Sequence, residues 1–87
     1  MAITRSQCKQ FVITHIADTQ SVPPTWIKET TNLRSDLLWG SADYSRLAKA
    51  INRSNWHNAY FLPGELNGCD TPKEIIDLLY ERAKQSA

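Results

Sequence analysis

The positions of glycine and proline constrain most strongly what this chain can fold into. These residues interrupt regular structure, and they occur at only seven positions: Pro23, Pro24, Gly40, Pro63, Gly64, Gly68 and Pro72. Between them lie three segments in which apolar residues recur at helical spacing, and no segment alternates apolar and polar residues as a strand does. The sequence therefore predicts an all-α fold.

The first predicted helix covers residues 5–17 and is followed by a long loop. Its apolar residues recur at spacings of three, one and four, which places them on one face: Cys8, Phe11, Val12 and Ile16. Thr4, followed three positions later by Gln7, is typical of a capping box. Residues 18–36 contain Pro23-Pro24 and poor helix formers, so we expect a loop that three apolar side chains hold against the core: Val22, Ile27 and Leu33.

The second and last helices have clear start signals. Residues 42–53 carry an apolar stripe, with Ser41 as the expected N-cap and Asp43 in the first turn: Tyr44, Leu47, Ala48 and Ile51. The last helix is predicted to begin after Thr71, with Pro72 at its first position and Glu74 at its third. A short further helix is expected around Glu65.

These elements predict one domain over residues 1–87. Its architecture is a small bundle of four helices, three long and one short, with a long first loop. A chain of this length builds a single compact core. The expected core consists of seven apolar residues: Phe11, Ile16, Leu33, Leu47, Ile51, Ile75 and Leu79.

Charge and hydropathy argue against nucleic-acid and membrane partners. Ten Lys and Arg residues against nine Asp and Glu give a formal charge of +1, and the basic residues are scattered. No apolar run approaches the roughly 18 residues that a membrane span requires. Arg5 and Lys9 lie in the first ten residues, but no apolar stretch follows them, so no secretory signal is expected. We therefore expect a cytoplasmic protein. As a separate expectation, it is a monomer.

The cysteines and histidines do not form a recognisable metal or disulfide pattern. Cys8 and Cys69 are too few for a disulfide scaffold, although one bridge between them stays open. Neither His15 nor His57 has the spacing of a metal ligand, so no zinc site is expected. His15 is expected to be partly buried with one hydrogen bond, and His57 to be a solvated turn residue.

The segment around Ser41 is the most informative part of the sequence. Asp36, Leu37, Ser41, Asp43 and Leu47 stand at the positions of the modification motif of acyl and peptidyl carrier proteins, which this segment resembles. Two later segments, 61–63 and 71–78, also resemble that family, so the likeness extends from about residue 8 to residue 79. Leu38, Gly40 and Ala42 replace the family's glycine, acidic residue and leucine.

The resemblance implies a carrier and not an enzyme. It implies that Ser41 bears 4′-phosphopantetheine, whose thiol holds an acyl or aminoacyl group. The implied setting is a non-standard fatty-acid, polyketide or peptide pathway, with a phosphopantetheinyl transferase and loading enzymes as partners. Independently of the family, a serine at a helix N-terminus lies beside unpaired N–H groups and the positive end of the dipole, which favours a phosphate ester.

Residues near Ser41 are candidates for partner docking: Trp39, Ala42, Asp43, Arg46, Lys49 and Arg53. Family members usually carry an acidic second helix, whereas basic residues dominate here. Because charge complementarity sets partner choice, we expect a partner other than a conventional fatty-acid synthase.

Several alternatives stay open at this stage. The chain is also consistent with a degenerate, unmodified carrier-like domain that acts as a protein-interaction module, in which Ser41 is a plain helix cap. Trp39 can equally pack on the core, and Trp26 and Trp56 are expected to anchor loops. A serine, a histidine and an aspartate are present, but no nucleophile-elbow pattern surrounds Ser41, so no catalysis is assigned.

Overall fold

The part of the chain that the structure describes folds into three α-helices joined by irregular connections. The structure, a computed structural model, describes residues 3–62 and 64–86, and His57 and Ser86 are described in their backbone only. The helices are α1 (Arg5–Gln20), α2 (Ser41–Ser54) and α3 (Pro72–Ser86), with single 3₁₀ turns at Pro24–Trp26 and Trp56–Asn58. The described residues contain no strand, so the all-α prediction is confirmed. Pro63 and the predicted side-chain environment of His57 lie outside the described part.

Helix α1 begins with the predicted capping box. The Gln7 N–H donates to the Thr4 hydroxyl oxygen at 3.2 Å, and the Thr4 N–H donates to the Gln7 side-chain oxygen at 3.1 Å. The helix runs three residues beyond its predicted end. It stops where Ser21 adopts a left-handed conformation and donates its N–H to the carbonyl of Ala17 and that of Asp18.

Helix α2 begins one residue earlier than predicted. Gly40, not Ser41, is the N-cap, and Ser41 is the first helical residue. The Asp43 carboxylate accepts the Gly40 N–H at 3.0 Å, which is one half of a capping box. The expectation that Ser41 caps this helix is therefore wrong, because the carboxylate of Asp43 supplies the cap from inside the helix.

Helix α3 starts where the sequence predicts, but its capping contact differs. Thr71 precedes Pro72, the first helical residue. The Glu74 carboxylate accepts the N–H of Asp70 at 2.9 Å, one residue upstream of the expected partner. The Glu74 N–H donates to the Thr71 carbonyl at 3.2 Å. The carboxylate of Glu74 thus fixes the chain on its way into α3.

The short helix expected around Glu65 does not form. Residues 64–68 make turns instead. The Glu65 carboxylate accepts the Leu62 N–H at 2.8 Å and forms an ion pair with Arg82 of α3. Gly64 adopts a φ of 82°, which glycine tolerates without steric cost. The prediction of a short additional helix is therefore wrong. The segment forms turns instead, and contacts with α3 hold them in place.

The core lies between the three helices, and α1 contacts both α2 and α3. Six of the seven predicted core residues are buried: Ile16, Leu33, Leu47, Ile51, Ile75 and Leu79. Phe11 is only partly buried at the edge of this cluster. Further buried residues fill the centre beyond those predicted: Trp39, Tyr44, Phe61, Leu66 and Ile76.

The long loop is tied to the start of α3. The Leu33 N–H donates to the Asp70 carbonyl at 2.7 Å, and the Lys73 N–H donates to the Glu29 carbonyl at 3.1 Å. Ile27 and Leu33 are buried and Val22 is partly buried, as predicted. These contacts set the position of residues 33–40 and hence the start of α2.

Side-chain ion pairs reinforce the same connection. Arg5 of α1 contacts Glu29 of the loop and Asp77 of α3, each at 2.7 Å. The hydrogen bond from Arg5 lowers the pKa of the Glu29 carboxyl, so Glu29 stays ionised at a lower pH than a free glutamate does. No helix in the described residues is both long enough and apolar enough to cross a bilayer.

Candidate functional site

Ser41 occupies an accessible position at the beginning of α2. It is exposed and is the first residue of a fourteen-residue helix. The first N–H groups of a helix have no carbonyl partner within it. Here the Asp43 N–H turns back to the Gly40 carbonyl at 3.0 Å, and among the described residues the N–H groups of Ser41 and Ala42 have no acceptor. Those two N–H groups therefore lie beside the Ser41 side chain.

Leu38 introduces strain just before the site. Its φ is 57°, and its side chain is 82% exposed. The left-handed conformation is unfavourable for a residue with a Cβ, and here no burial of the side chain compensates. Leu38 stands where the carrier family has a glycine, so the backbone adopts a conformation that a glycine would adopt more easily.

Trp39 belongs to the core and not to the surface around Ser41. It is 4% exposed, and its ring packs edge-on against Tyr44 with centroids 5.2 Å apart. The proposed docking role for Trp39 is therefore wrong, and its alternative as a core aromatic is confirmed. The Trp39 indole nitrogen and the Tyr44 hydroxyl are buried without a hydrogen-bond partner among the described residues. Burial also raises the pKa of the Tyr44 hydroxyl.

The remaining candidate docking residues lie together on the outer surface of α2. Ala42, Arg46, Lys49 and Arg53 are exposed, and Asp43 is half-buried. Arg46 lies 3.4 Å from the Asp43 carboxylate, so its charge is partly compensated. Lys49 and Arg53 are one helical turn apart and carry the basic character of this face. The predicted orientation of α2 is confirmed, because its apolar stripe is buried and its basic residues point outward.

A groove lies between α2 and the extended segment 59–62. Its volume is about 410 Å³, and it is lined by six residues: Ser45, Ala48, Lys49, Asn52, Tyr60 and Phe61. Ser41 lies four residues before Ser45, on the same helix face and about 6 Å away along the axis. The exposed serine and the groove therefore occupy one side of the molecule.

Two polar side chains hold the far wall of this groove. The Asn52 side chain accepts the Phe61 N–H at 2.9 Å and donates to the Phe61 carbonyl at 3.0 Å. Arg82 of α3 donates to the Tyr60 carbonyl at 2.6 Å and lies over the Phe61 ring, 5.1 Å from its centroid. The segment is thus fixed to both α2 and α3.

Two residues of this region, Asn52 and Tyr60, have no role in the interpretation of the sequence. Leu38 and Leu62 enter it only through the resemblance, Leu38 in place of the family's glycine and Leu62 within segment 61–63. Tyr60 and Leu62 flank the buried Phe61, but all three residues are apolar, so no alternating pattern distinguishes the outward pair from the buried residue. Asn52 has no signal either, because its role depends on contacts with a distant segment.

One histidine and two tryptophans lie outside the lining of this groove: His15, Trp26 and Trp56. His15 donates from Nδ1 to the Phe11 carbonyl at 2.8 Å, which confirms its expected single hydrogen bond. Trp56 stacks on Phe11 with centroids 4.3 Å apart, as expected for an anchor. Trp26 is 68% exposed, so its predicted anchoring role is wrong.

The two cysteines are buried and are not joined in a disulfide. Burial raises the pKa of the Cys69 thiol to about 11, which keeps it protonated and unreactive at neutral pH. Within the described residues, no group of three or more His, Cys, Asp or Glu side chains could hold a metal ion.

Comparison with protein-family models, curated proteins and solved structures finds no match to this chain. The resemblance to carrier proteins therefore depends on the sequence motifs alone.

Proposed function

We propose that the protein is a carrier that holds an acyl or aminoacyl group on 4′-phosphopantetheine attached to Ser41. The observation that carries this proposal is the location of Ser41, exposed in the first turn of α2 on the same side as the groove. An exposed hydroxyl next to a glycine is accessible to a modifying enzyme. The setting is a non-standard fatty-acid, polyketide or peptide pathway, and the transferase and loading enzymes are the partners.

The local chemistry supports a phosphate ester at this position. The N–H groups of Ser41 and Ala42 are available to phosphate oxygens, and the positive end of the α2 dipole favours their charge. The Asp43 carboxylate is turned toward Gly40 and Arg46, which satisfies it locally. The residues present therefore fit a phosphopantetheine group, which would supply the thiol for thioester formation.

Intact-mass measurement tests the proposal directly. The protein is incubated with coenzyme A, magnesium and a phosphopantetheinyl transferase of broad specificity. We expect a mass gain of one phosphopantetheine, which Ser41→Ala abolishes. Ser45→Ala is the matched control, because Ser45 lies one turn along the same face and should leave loading unchanged. Loading that persists in Ser41→Ala, or no loading under any condition, contradicts the proposal.

A second experiment concerns the residues that flank Ser41. The resemblance implies that the transferase contacts an acidic residue and a leucine where this chain has Gly40 and Ala42. The double change Gly40→Asp with Ala42→Leu should raise the loading rate, because it adds a charged contact and apolar area. Both changes fit: a Cβ on Gly40 meets nothing within 4 Å, and Ala42 is exposed. Equal rates for the two forms would show that these positions do not limit loading.

The second candidate function is an unmodified protein-interaction module. The exposed Lys49 and Arg53 next to an apolar-lined groove favour it. In that case Ser41 stays unmodified and the partner binds the surface of α2 directly. Intact mass from the native source separates the two, since only the carrier gains the prosthetic group.

A further inference from the structure

The groove beside α2 has an apolar border on one side and a basic border on the other. Tyr60 and Leu62 are 58% and 61% exposed, while Phe61 between them is 1% exposed. The extended segment therefore turns two large apolar side chains outward and uses the third as an anchor. On the opposite wall, Lys49 lines the groove and Arg53 follows one turn later on α2.

The backbone of this segment is already hydrogen-bonded, which determines how a partner can bind. Both polar groups of Phe61 bond to the Asn52 side chain. The Leu62 N–H donates to the Glu65 carboxylate, and its carbonyl accepts the Glu65 N–H at 3.1 Å. The Tyr60 carbonyl accepts from Arg82. Because these groups are occupied, a partner cannot add here as an extra strand and has to bind through side chains, as a helix in a groove does.

We propose that this groove binds an amphipathic helix of a partner protein, with apolar residues on its inner face and carboxylates along one edge. The apolar residues contact Tyr60 and Leu62, and the carboxylates pair with Lys49 and Arg53. This proposal rests on the proposed function in one respect, since both candidate functions require a partner that binds α2. It does not require that Ser41 is modified.

Charge also distinguishes this occupant from a membrane or a nucleic acid. Arg46 is partly compensated by Asp43, which leaves Lys49 on the groove wall and Arg53 one helical turn beyond it. Lipid-binding basic clusters contain about 4–8 Lys or Arg residues, and nucleic-acid surfaces need several phosphate contacts. Two basic side chains beside an apolar groove are complementary to a few carboxylates on a short helix, and not to the many negative charges of a lipid or nucleic-acid surface.

A pair of synthetic peptides tests this proposal by NMR titration of the unloaded protein. One peptide is a helix with leucine at i, i+3, i+4 and i+7 and flanking glutamates, and the other has lysine in place of each glutamate. We expect the glutamate peptide to bind more tightly and to shift the amide resonances of Lys49, Tyr60 and Leu62. Lys49→Glu should weaken its binding by at least about fivefold. Lys28→Glu makes the same charge change on an exposed loop residue and should leave binding unchanged.

Leu62→Ser tests the apolar half of the surface and should weaken both peptides. Equal binding of the two peptides, no binding, or shifts confined to other surfaces overturns the proposal. Sedimentation with phosphatidylcholine–phosphatidylserine vesicles that is lost in Lys49→Glu identifies a membrane surface instead and also overturns it. Ser41 loading is measured separately by mass, so failure of one proposal is distinguishable from failure of the other.

Discussion

At the scale of single residues, a leucine in the left-handed backbone conformation lies next to the site. Leu38 combines a φ of 57° with a side chain that is 82% exposed. Strained positions of this kind persist when the surrounding structure imposes them, and they cluster at functional sites. Here the hydrogen bond from the Trp39 N–H to the Leu33 carbonyl, at 2.9 Å, closes the turn that contains Leu38.

The strain at Leu38 leads to a stability prediction. Leu38→Gly should stabilise the protein by about 0.5–1 kcal/mol, because relief of the left-handed conformation exceeds the entropy that glycine adds to the unfolded chain. Urea unfolding measures this as a higher urea concentration at the midpoint. The m value, which is the dependence of the unfolding free energy on urea concentration, should stay the same. Ser35→Gly is the control in the same loop, since Ser35 does not have a positive φ and should lose stability. A lower midpoint for Leu38→Gly would mean that the Leu38 side chain is stabilising.

At the scale of elements, the sequence predicts well what local contacts determine. The stripe on α2 was predicted in full because helical spacing alone places Tyr44, Leu47 and Ile51 on one face. The Thr4 capping box was equally predictable, because both of its partners lie within four residues. Candidate docking residues on α2 were found for the same reason, since their exposure follows from the position of the stripe.

Elements that depend on distant partners were predicted less well. The turns at residues 64–68 form because Glu65 pairs with Arg82, seventeen residues away. The burial of Trp39 and the exposure of Trp26 depend on how the loop packs, and both are aromatic residues in irregular segments. The groove could not be predicted at all, because Asn52 bonds to a segment that has no periodic pattern.

The Glu65–Arg82 pair gives an element-scale prediction about pH. The hydrogen bond from Arg82 lowers the pKa of the Glu65 carboxyl. Its folded pKa therefore lies below its unfolded value, so the stabilisation is present above about pH 4.5 and is lost as pH falls through the folded pKa. Glu65→Gln keeps an acceptor for the Leu62 N–H but removes the charge. At neutral pH the variant should have a lower free energy of unfolding than the wild type. This difference should shrink as the pH is lowered toward about 3, because Glu65 of the wild type then also loses its charge.

Urea midpoints at the two pH values measure this difference. Glu81→Gln is the control, because Glu81 is an exposed residue whose ion pair with Lys84 is long, at 3.6 Å. Such a pair contributes little, so this variant should follow the wild type at both pH values. A deficit of Glu65→Gln that stays constant with pH would show that the ion pair with Arg82 does not stabilise the segment.

At the scale of the whole molecule, the three helices share one core. Helix α1 contacts both α2 and α3, and the loop is tied to the start of α3 by backbone hydrogen bonds. The radius of gyration is 11.9 Å, close to the ~12 Å expected for a compact chain of this length. The segment that forms the groove and the helix that carries Ser41 both pack on this core, so the site depends on cooperative folding of the chain.

This shared core predicts that the chain unfolds in a single transition. It also predicts that truncation of one buried residue of α2 destabilises the whole chain. Leu47 is 1% exposed, so Leu47→Ala should destabilise the protein by about 2–5 kcal/mol. Arg46→Ala removes the neighbouring exposed side chain and should change stability by at most about 0.5 kcal/mol. Helical circular dichroism and tryptophan fluorescence, the latter reporting on Trp26, Trp39 and Trp56 together, should give the same midpoint for each variant because the chain unfolds in one step. If Arg46→Ala cost more stability than Leu47→Ala, α2 would face the other way. The surface proposed for partner binding would then be buried in the core. If the two probes separated, the helices would not share a cooperative core, and the groove could open while α2 stays folded.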